Sequence, residues 1–158
     1  MAKTDEIIQK AQQAAVAFRK LDQKQTDRIV RAVYVKAMEH RVRFAKMAAE
    51  ETGLGVWQHK VIKNVIASQL VYEHIKGQKT VGIISEDSFS GIIEMAQPLG
   101  PILALVPVIN PTSTTIFKIL ITMKTRNPVI ISSFVVNRLG LLSHWMQCSG
   151  APAFSAAS

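Results

Sequence analysis

A single cysteine, Cys148, in 158 residues leaves no material for a disulfide framework or a cysteine-rich zinc site. Acids are missing from the whole last stretch. None follows Glu94, and Lys118, Lys124, Arg126 and Arg138 are the only formal charges after it. Glycine (8) and proline (6) are too few for a collagen-like or low-complexity chain. A bilayer span needs about 20 apolar residues; the longest run here, Ile102 to Ile109, is far shorter and is broken by Pro107. The opening MAKTDEIIQK carries acids and no apolar core, so no secretory signal is expected and a cytoplasmic location is the default. Aromatics make up only 6%, and the basic residues do not cluster with them. The net charge of +8 therefore does not read as a nucleic-acid surface. The one short basic group, Arg41, Arg43 and Lys46, does not share a tight helix face and reads as solvated surface.

Catalytic and metal signatures are also scarce. His40, His59, His74 and His144 form no HExxH and no Cys/His ligand spacing. Gly53-Leu54-Gly55 follows a helical pattern and lacks a third glycine, so it reads as a helix stop, not a dinucleotide fingerprint. Glu50 and Glu51 are neighbours and point about 100° apart on a helix, so they cannot face each other as a dyad. Cys148 has Met146, Gln147, Ser149 and Gly150 around it, none of which would lower its pKa.

What is present is an α/β pattern. Apolar residues at helical spacing predict helices over 4–20 (Ile7, Ile8, Ala11, Ala14, Ala15, Phe18), 26–51 and 56–76. Thr4 and Thr26 are the candidate N-caps, and 26–51 is one helix or a broken pair. The stripe of the third helix is Val61, Val65, Ile66, Leu70 and Ile75. Then the period shortens. Residues 80–84 and 92–96 are strand candidates that could pair as a hairpin across a polar turn at 85–90. The run 102–108 reads as a strand buried on both faces, 111–126 as a helix opened by Pro111, and 128–132 as a second buried strand. Lys124 and Arg126 suit the negative end of that helix. Together they make one βαβ unit, which implies a parallel sheet. After Ser133 the pattern decays, without acids, caps or a clean period.

The segment Leu105-Val106-Pro107-Val108-Ile109-Asn110-Pro111-Thr112-Ser113-Thr114-Thr115 joins the C-terminal end of a strand to a helix start. Ligands of open α/β sheets bind at such junctions. Asn110 and the hydroxyl cluster offer donors for an anion or a carbonyl oxygen. Ordinary helix capping accounts equally well for the same residue types.

Five blocks, ETGLGVW (51–57), KVIKNVIAS (60–68), TVGIISED (80–87), PLGPILALVPVINPTSTTIFK (98–118) and KTRNPVIIS (124–132), together resemble the start of the CoA-acylating aldehyde dehydrogenases. They are most similar to the N-terminal half of the bifunctional aldehyde–alcohol dehydrogenases, over about Ile7 to Ser132. The resemblance implies a three-part α/β enzyme: an NAD-binding domain with an atypical Rossmann sheet, a catalytic domain and a β oligomerisation arm. It implies conversion of acetaldehyde, CoA and NAD to acetyl-CoA and NADH. Residues 1–132 would be the N-terminal part of the NAD-binding domain, incomplete beyond its first βαβ unit, with 80–97 as the oligomerisation hairpin. Leu105, Val106, Pro107, Val108, Ile109 and Asn110 match the dinucleotide-contacting loop. Ser132 falls near where relatives hold the adenosine ribose with a lysine. The superfamily's oxyanion-hole asparagine lies in the same loop. Counted between the flanking prolines, its slot holds Ile109, and Asn110 follows one position later as the candidate contact. Aldehyde and CoA are the implied partners, with a homo-oligomer in the family. No nucleic acid, membrane or metal in this part is expected.

The chain also departs from the family pattern. The family's nucleophilic cysteine, its phosphate-carrying glycine turn and the metal-containing alcohol dehydrogenase half lie downstream of what is present. After Ser132 the family continues Pro-His-Pro, whereas Ser133-Phe134-Val135 stands here. Residues 133–158 are therefore expected to be a non-homologous, poorly ordered tail produced by a frame shift. The expected function is that of an acylating aldehyde dehydrogenase fragment without turnover of its own. The alternative is a non-enzymatic partial subunit that associates with the full-length enzyme.

Overall fold

The computed structural model describes residues 2–133 and the strand Ser155–Ala157. The described residues hold six α-helices, α1 (Ala2–Arg19), α2 (Gln23–Glu39), α3 (Arg41–Thr52), α4 (Trp57–Val65), α5 (Val71–Ile75) and α6 (Pro111–Lys124). The strands are β1 (Gly82–Asp87), β2 (Ile92–Ala96), β3 (Ile102–Val106), β4 (Val129–Ser133) and β5 (Ser155–Ala157). The expectation for the tail, with His144 and Cys148, falls outside the described residues apart from Ser133 and β5. There, three residues where no element is expected pair in parallel with β4.

Neither threonine caps its helix. α1 begins at Ala2, since alanine and lysine extend a helix at little cost, and Thr4 lies inside its first turn. α2 is capped by Asp22, whose carboxylate accepts the Gln25 N–H at 2.7 Å while the Gln25 side-chain oxygen accepts the Asp22 N–H at 3.0 Å. This reciprocal pair satisfies two helix-end donors at once and so outcompetes a lone threonine. Thr26 is instead buried one turn in, donating its hydroxyl to the Asp22 carbonyl at 2.8 Å. Asp22→Ala is expected to cost about 1 kcal/mol, read as a lower urea midpoint at unchanged slope.

The second predicted helix is a broken pair, interrupted at His40 and ended by Gly53, whose φ of 63° suits glycine. The third runs as α4, one π turn at Ile66–Leu70, and α5. Its predicted stripe is corrected here. Ile75 is buried, but Ile66 and Leu70 are exposed, and Lys60, Asn64, Ala67 and Ser68 face inward. The inward residues keep regular helical spacing at 60, 64, 67 and 68, but three of the four are polar, so apolarity does not mark the face that meets the core.

β1 and β2 form an antiparallel hairpin, with Gly82 opposite Ala96 and Asp87 opposite Ile92, and a bulge between Ile83 and Ser85. β1 runs through residues expected to form the turn. The reversal tightens onto Ser88–Gly91 because the Asp87 carboxylate accepts the Phe89 N–H at 2.9 Å and the Ser90 hydroxyl at 2.5 Å, with Gly91 at φ 69°. These bonds, the Ser90 hydroxyl first, hold the Asp87 carboxyl below its usual pKa.

β3 and β4 are parallel, Ile102 opposite Val129 through Val106 opposite Ser133, with α6 as the crossover. The core gathers on one face of this sheet: Ala104, Val106, Val129 and Ile131 pack with Phe18, Val30, Val33, Phe44, Ile116 and Leu120. β3 is not buried on both faces as expected, because Leu103 and Leu105 remain 63% and 50% exposed. The described helices supply a covering layer for the Ala104–Val106 side only. Beyond α6 the chain turns through Arg126 at φ 57°, a conformation glycine usually fills. Arg126 is buried and donates to the carbonyls of Arg19 and Ala96 at 3.2 and 3.4 Å, tying α1 to the hairpin root. Lys124 is likewise buried, in an ion pair with Asp27 at 2.6 Å. Both cations are thus structural ties rather than exposed partners of the helix dipole.

Candidate functional site

The parallel pairing brings the sequence-selected residues to one edge. Leu105 lies opposite Ser132 near the C-terminal ends of β3 and β4, and the loop Pro107–Asn110 leads from that edge into α6. Leu105, Pro107 and Ile109 are exposed, while Val106 is in the core and Val108 is half-buried. Lys118, one turn and more into α6, donates to the Leu105 carbonyl at 2.5 Å and places a cation beside this edge.

Asn110 occupies the cap position of α6 but makes no capping bond with its side chain. Its backbone carbonyl accepts the Thr114 N–H at 3.2 Å, and Pro111 fills the first helical position, where a missing N–H costs nothing. The side chain turns instead to α4. Lys63 Nζ donates to Asn110 Oδ1 at 2.9 Å, and Lys60 Nζ donates to the Ile109 carbonyl at 2.8 Å. Asn64 completes the grip: its Oδ1 accepts the Thr112 hydroxyl at 2.8 Å, and its Nδ2 donates to the Arg41 carbonyl at 2.9 Å. One turn of α4 thus holds Ile109, Asn110 and Thr112.

Residues 60, 63 and 64 share a helix face, which is why the spacing KxxKN can do this. Sequence reasoning missed these three as site residues, although the spacing was legible. Lysine and asparagine read as surface until a partner for them is known. Burial lowers the pKa of Lys60, and the neighbouring positive charge of Lys63 lowers it further.

Beside Asn110 runs a groove of about 450 Å³. Lys63, Asn110, Ser113 and Thr114 form its polar end, and Ile66, Val71 and Phe117 give it apolar walls. The groove can therefore take a small molecule with a carbonyl or anionic head and a short apolar tail. The π turn supplies Ile66 and Ala67 to its lining.

The remaining candidates among the described residues do not join this site. His40 stacks obliquely near Phe44, with ring centroids 5.5 Å apart, and His59 and His74 are exposed on other helical turns. Among the described residues no group of three or more His, Cys, Asp or Glu side chains could hold a metal ion, and no helix is long and apolar enough to cross a membrane. Of the basic trio, Arg41 donates to the Met38 carbonyl at 2.6 Å and Lys46 sits 4.9 Å over the Trp57 ring.

The family model described as aldehyde dehydrogenase family matches residues 1–135. The bifunctional aldehyde-alcohol dehydrogenase AdhE of Escherichia coli is 42% identical over 132 residues, which cover 84% of this chain and 15% of that enzyme. The matched part is the N-terminal portion of that protein. A probable aldehyde dehydrogenase from Listeria monocytogenes superposes with a TM-score of 0.86 at 37% identity, covering 97% of this chain and 36% of that one. An acetylating aldehyde dehydrogenase from Geobacillus thermoglucosidasius gives the same TM-score and coverage at 34% identity. The chain thus spans well under half the length of the relatives it matches, and it belongs to the aldehyde dehydrogenase family.

Proposed function

We propose that this chain is the N-terminal part of an NAD-dependent, CoA-acylating aldehyde dehydrogenase, carrying one wall of the cofactor site and an oxyanion donor but no nucleophile. The observation that carries this reading is Asn110: it stands at a strand-to-helix junction, makes no capping bond with its side chain, and lines a groove of about 450 Å³ with polar and apolar walls. Residues 1–132 fill this role, and the tail from 133 is outside it.

The residues present fit one wall of a dinucleotide site. Leu105 and Ile109 offer exposed apolar surface at the C-terminal edge of β3, and Lys118 places a positive charge next to it. Bound NAD supplies the hydride acceptor. The chain's own side chains would orient the aldehyde: the Asn110 amide donates to its oxygen, while Ile66 and Phe117 offer apolar surface to its tail. The covalent route to an acyl-CoA needs an activated cysteine, and Cys148 lacks a cationic neighbour in the sequence.

The purified chain with acetaldehyde, CoA and NAD is expected to form no NADH above the protein-free control. CoA-dependent NADH formation would overturn the missing-nucleophile part of the reading. The cofactor wall is tested separately with NADH fluorescence. Leu105→Asp is expected to abolish any enhancement seen with the parent chain, and equal enhancement in both would remove Leu105 from the site.

A second reading is favoured by the hairpin, on which Ile83, Phe89, Ile92, Ile93 and Met95 are all exposed. Such a surface would join this chain to a second copy, or to the full-length enzyme as a partial subunit without catalysis. Co-purification with full-length enzyme supports that association; separate elution counts against it.

A further inference from the structure

Two lysines one helical turn apart reach consecutive residues of the same loop, yet their tasks differ. Lys60 is 6% exposed and holds a backbone carbonyl, that of Ile109. A peptide unit is planar and trans. Drawing the Ile109 carbonyl toward α4 therefore turns the Asn110 N–H the opposite way, and sets the plane from which the Asn110 side chain departs. Lys63 is exposed at the polar end of the groove and holds that side chain by its oxygen.

An ammonium group has donors and no acceptor. It can bind only the oxygen of the amide, so the Lys63 contact decides which way round the Asn110 carboxamide stands. No other partner of the Asn110 side chain exists among the described residues. Both Nδ2 protons are consequently without a partner among the described residues and available to a ligand. With the amide reversed, Oδ1 would face the ligand and repel a carbonyl oxygen. The positive charge of Lys63 beside Oδ1 also polarises the amide and strengthens its Nδ2 donors.

We propose that Lys63 is a positioning residue for Asn110: its ammonium fixes the orientation of the amide so that Nδ2 donates to a carbonyl oxygen in the groove. Lys60 supports this arrangement by fixing the backbone, and Asn64 by holding Thr112. The proposal rests on the reading of the groove as a carbonyl site, and the test separates the two.

The chain contains four asparagines, Asn64, Asn110, Asn127 and Asn137, so labelling asparagine with ¹⁵N gives four side-chain amides, with that of Asn110 assigned from Asn110→Asp. In the full chain the Asn110 amide is expected to be as ordered as rigid backbone, with an order parameter of about 0.85. In Lys63→Met it is expected to fall below about 0.6, with Asn64 and Asn127 unchanged. Lys63→Arg, which keeps a donor-only cation, is expected to restore it. Acetamide, an unreactive carbonyl probe, should shift the Asn110 Nδ2 resonances in the parent chain and in Lys63→Arg and lose that effect in Lys63→Met.

An Asn110 amide equally ordered without Lys63 would overturn the proposal, as would loosening of Asn64 and Asn127 together with it, which would mark a general structural role. An Asn110 amide ordered through Lys63 but silent to acetamide would uphold the positioning and remove the carbonyl-site reading instead. Lys63 is solvent-exposed, so its replacement leaves the core intact.

Discussion

Asp27→Ala should destabilise the chain far more than Lys124→Met, although both delete the same ion pair. The pair joins α2 to the end of α6 at 2.6 Å, and its two members are unequally buried: the Lys124 side chain is 3% exposed and that of Asp27 40%. Removing Asp27 strands a buried ammonium with only the Lys76 carbonyl, at 3.3 Å. Breaking a buried pair by deleting one partner typically costs about 3–5 kcal/mol. Here about 3 kcal/mol is expected, since one partner is partly solvated.

Removing Lys124 has a smaller effect. Methionine keeps the apolar stem in place, and Asp27 retains both water and the Gln23 amide at 2.9 Å. About 1 kcal/mol is expected, in line with the loss of a net hydrogen bond. The double variant should be more stable than Asp27→Ala alone, because no unpaired charge remains buried. The same network reaches the entry to β1: Thr80 donates its N–H to Gln23 at 2.8 Å and its hydroxyl to the Lys124 carbonyl. Urea unfolding of the parent, both single variants and the double variant completes the cycle. Equal costs for the two single changes would mean that both charges are effectively solvated.

What could be read beforehand followed from how local each signal was. The βαβ unit was legible because prolines bracket an apolar run and Pro111 opens α6. Those signals act within a few residues. The inner face of α4 was not legible. Ser68 is satisfied within its own helix, donating to the Asn64 carbonyl at 2.7 Å, but the buried Lys60 and Asn64 depend on the Ile109 carbonyl and the Thr112 hydroxyl that α6 and its loop present. Such partners lie 48 and 49 residues away in the chain, beyond any periodicity argument. The caps failed for another reason. Thr26 is a good cap by type, but Asp22 stood four residues earlier with Gln25 to reciprocate. The loop 105–110 was selected correctly as a junction, whereas the choice between capping and ligand binding for Asn110 depended on where its amide turned.

The largest change in hydrodynamic behaviour should come from the hairpin. The two faces of the hairpin differ in chemistry. Directly opposed residues of an antiparallel pair share a face. Ile83 with Met95, and Ile93 beside Glu86, therefore make one face apolar. Ser85 with Glu94, and Asp87 with Ile92, make the other largely polar, and Ser85 and Glu94 are hydrogen-bonded at 3.1 Å. The bulge inserts Ile84 between Ile83 and Ser85 and leaves Ile83 opposite Met95 on the apolar face. A two-stranded ribbon with an uncovered apolar face is marginal in water by itself, and covering that face with the equivalent face of a second copy removes the exposure symmetrically. The chain is accordingly expected to sediment as a dimer or larger at micromolar concentration. Ile93→Lys, which places a charge in the middle of the apolar face, should release monomer with little change in helix content. The sheet face bearing Leu103 and Leu105 offers a rival surface, and it makes the outcome decisive. Association that persists in Ile93→Lys but is lost in Leu103→Lys would place the contact on β3 and refute the hairpin's role.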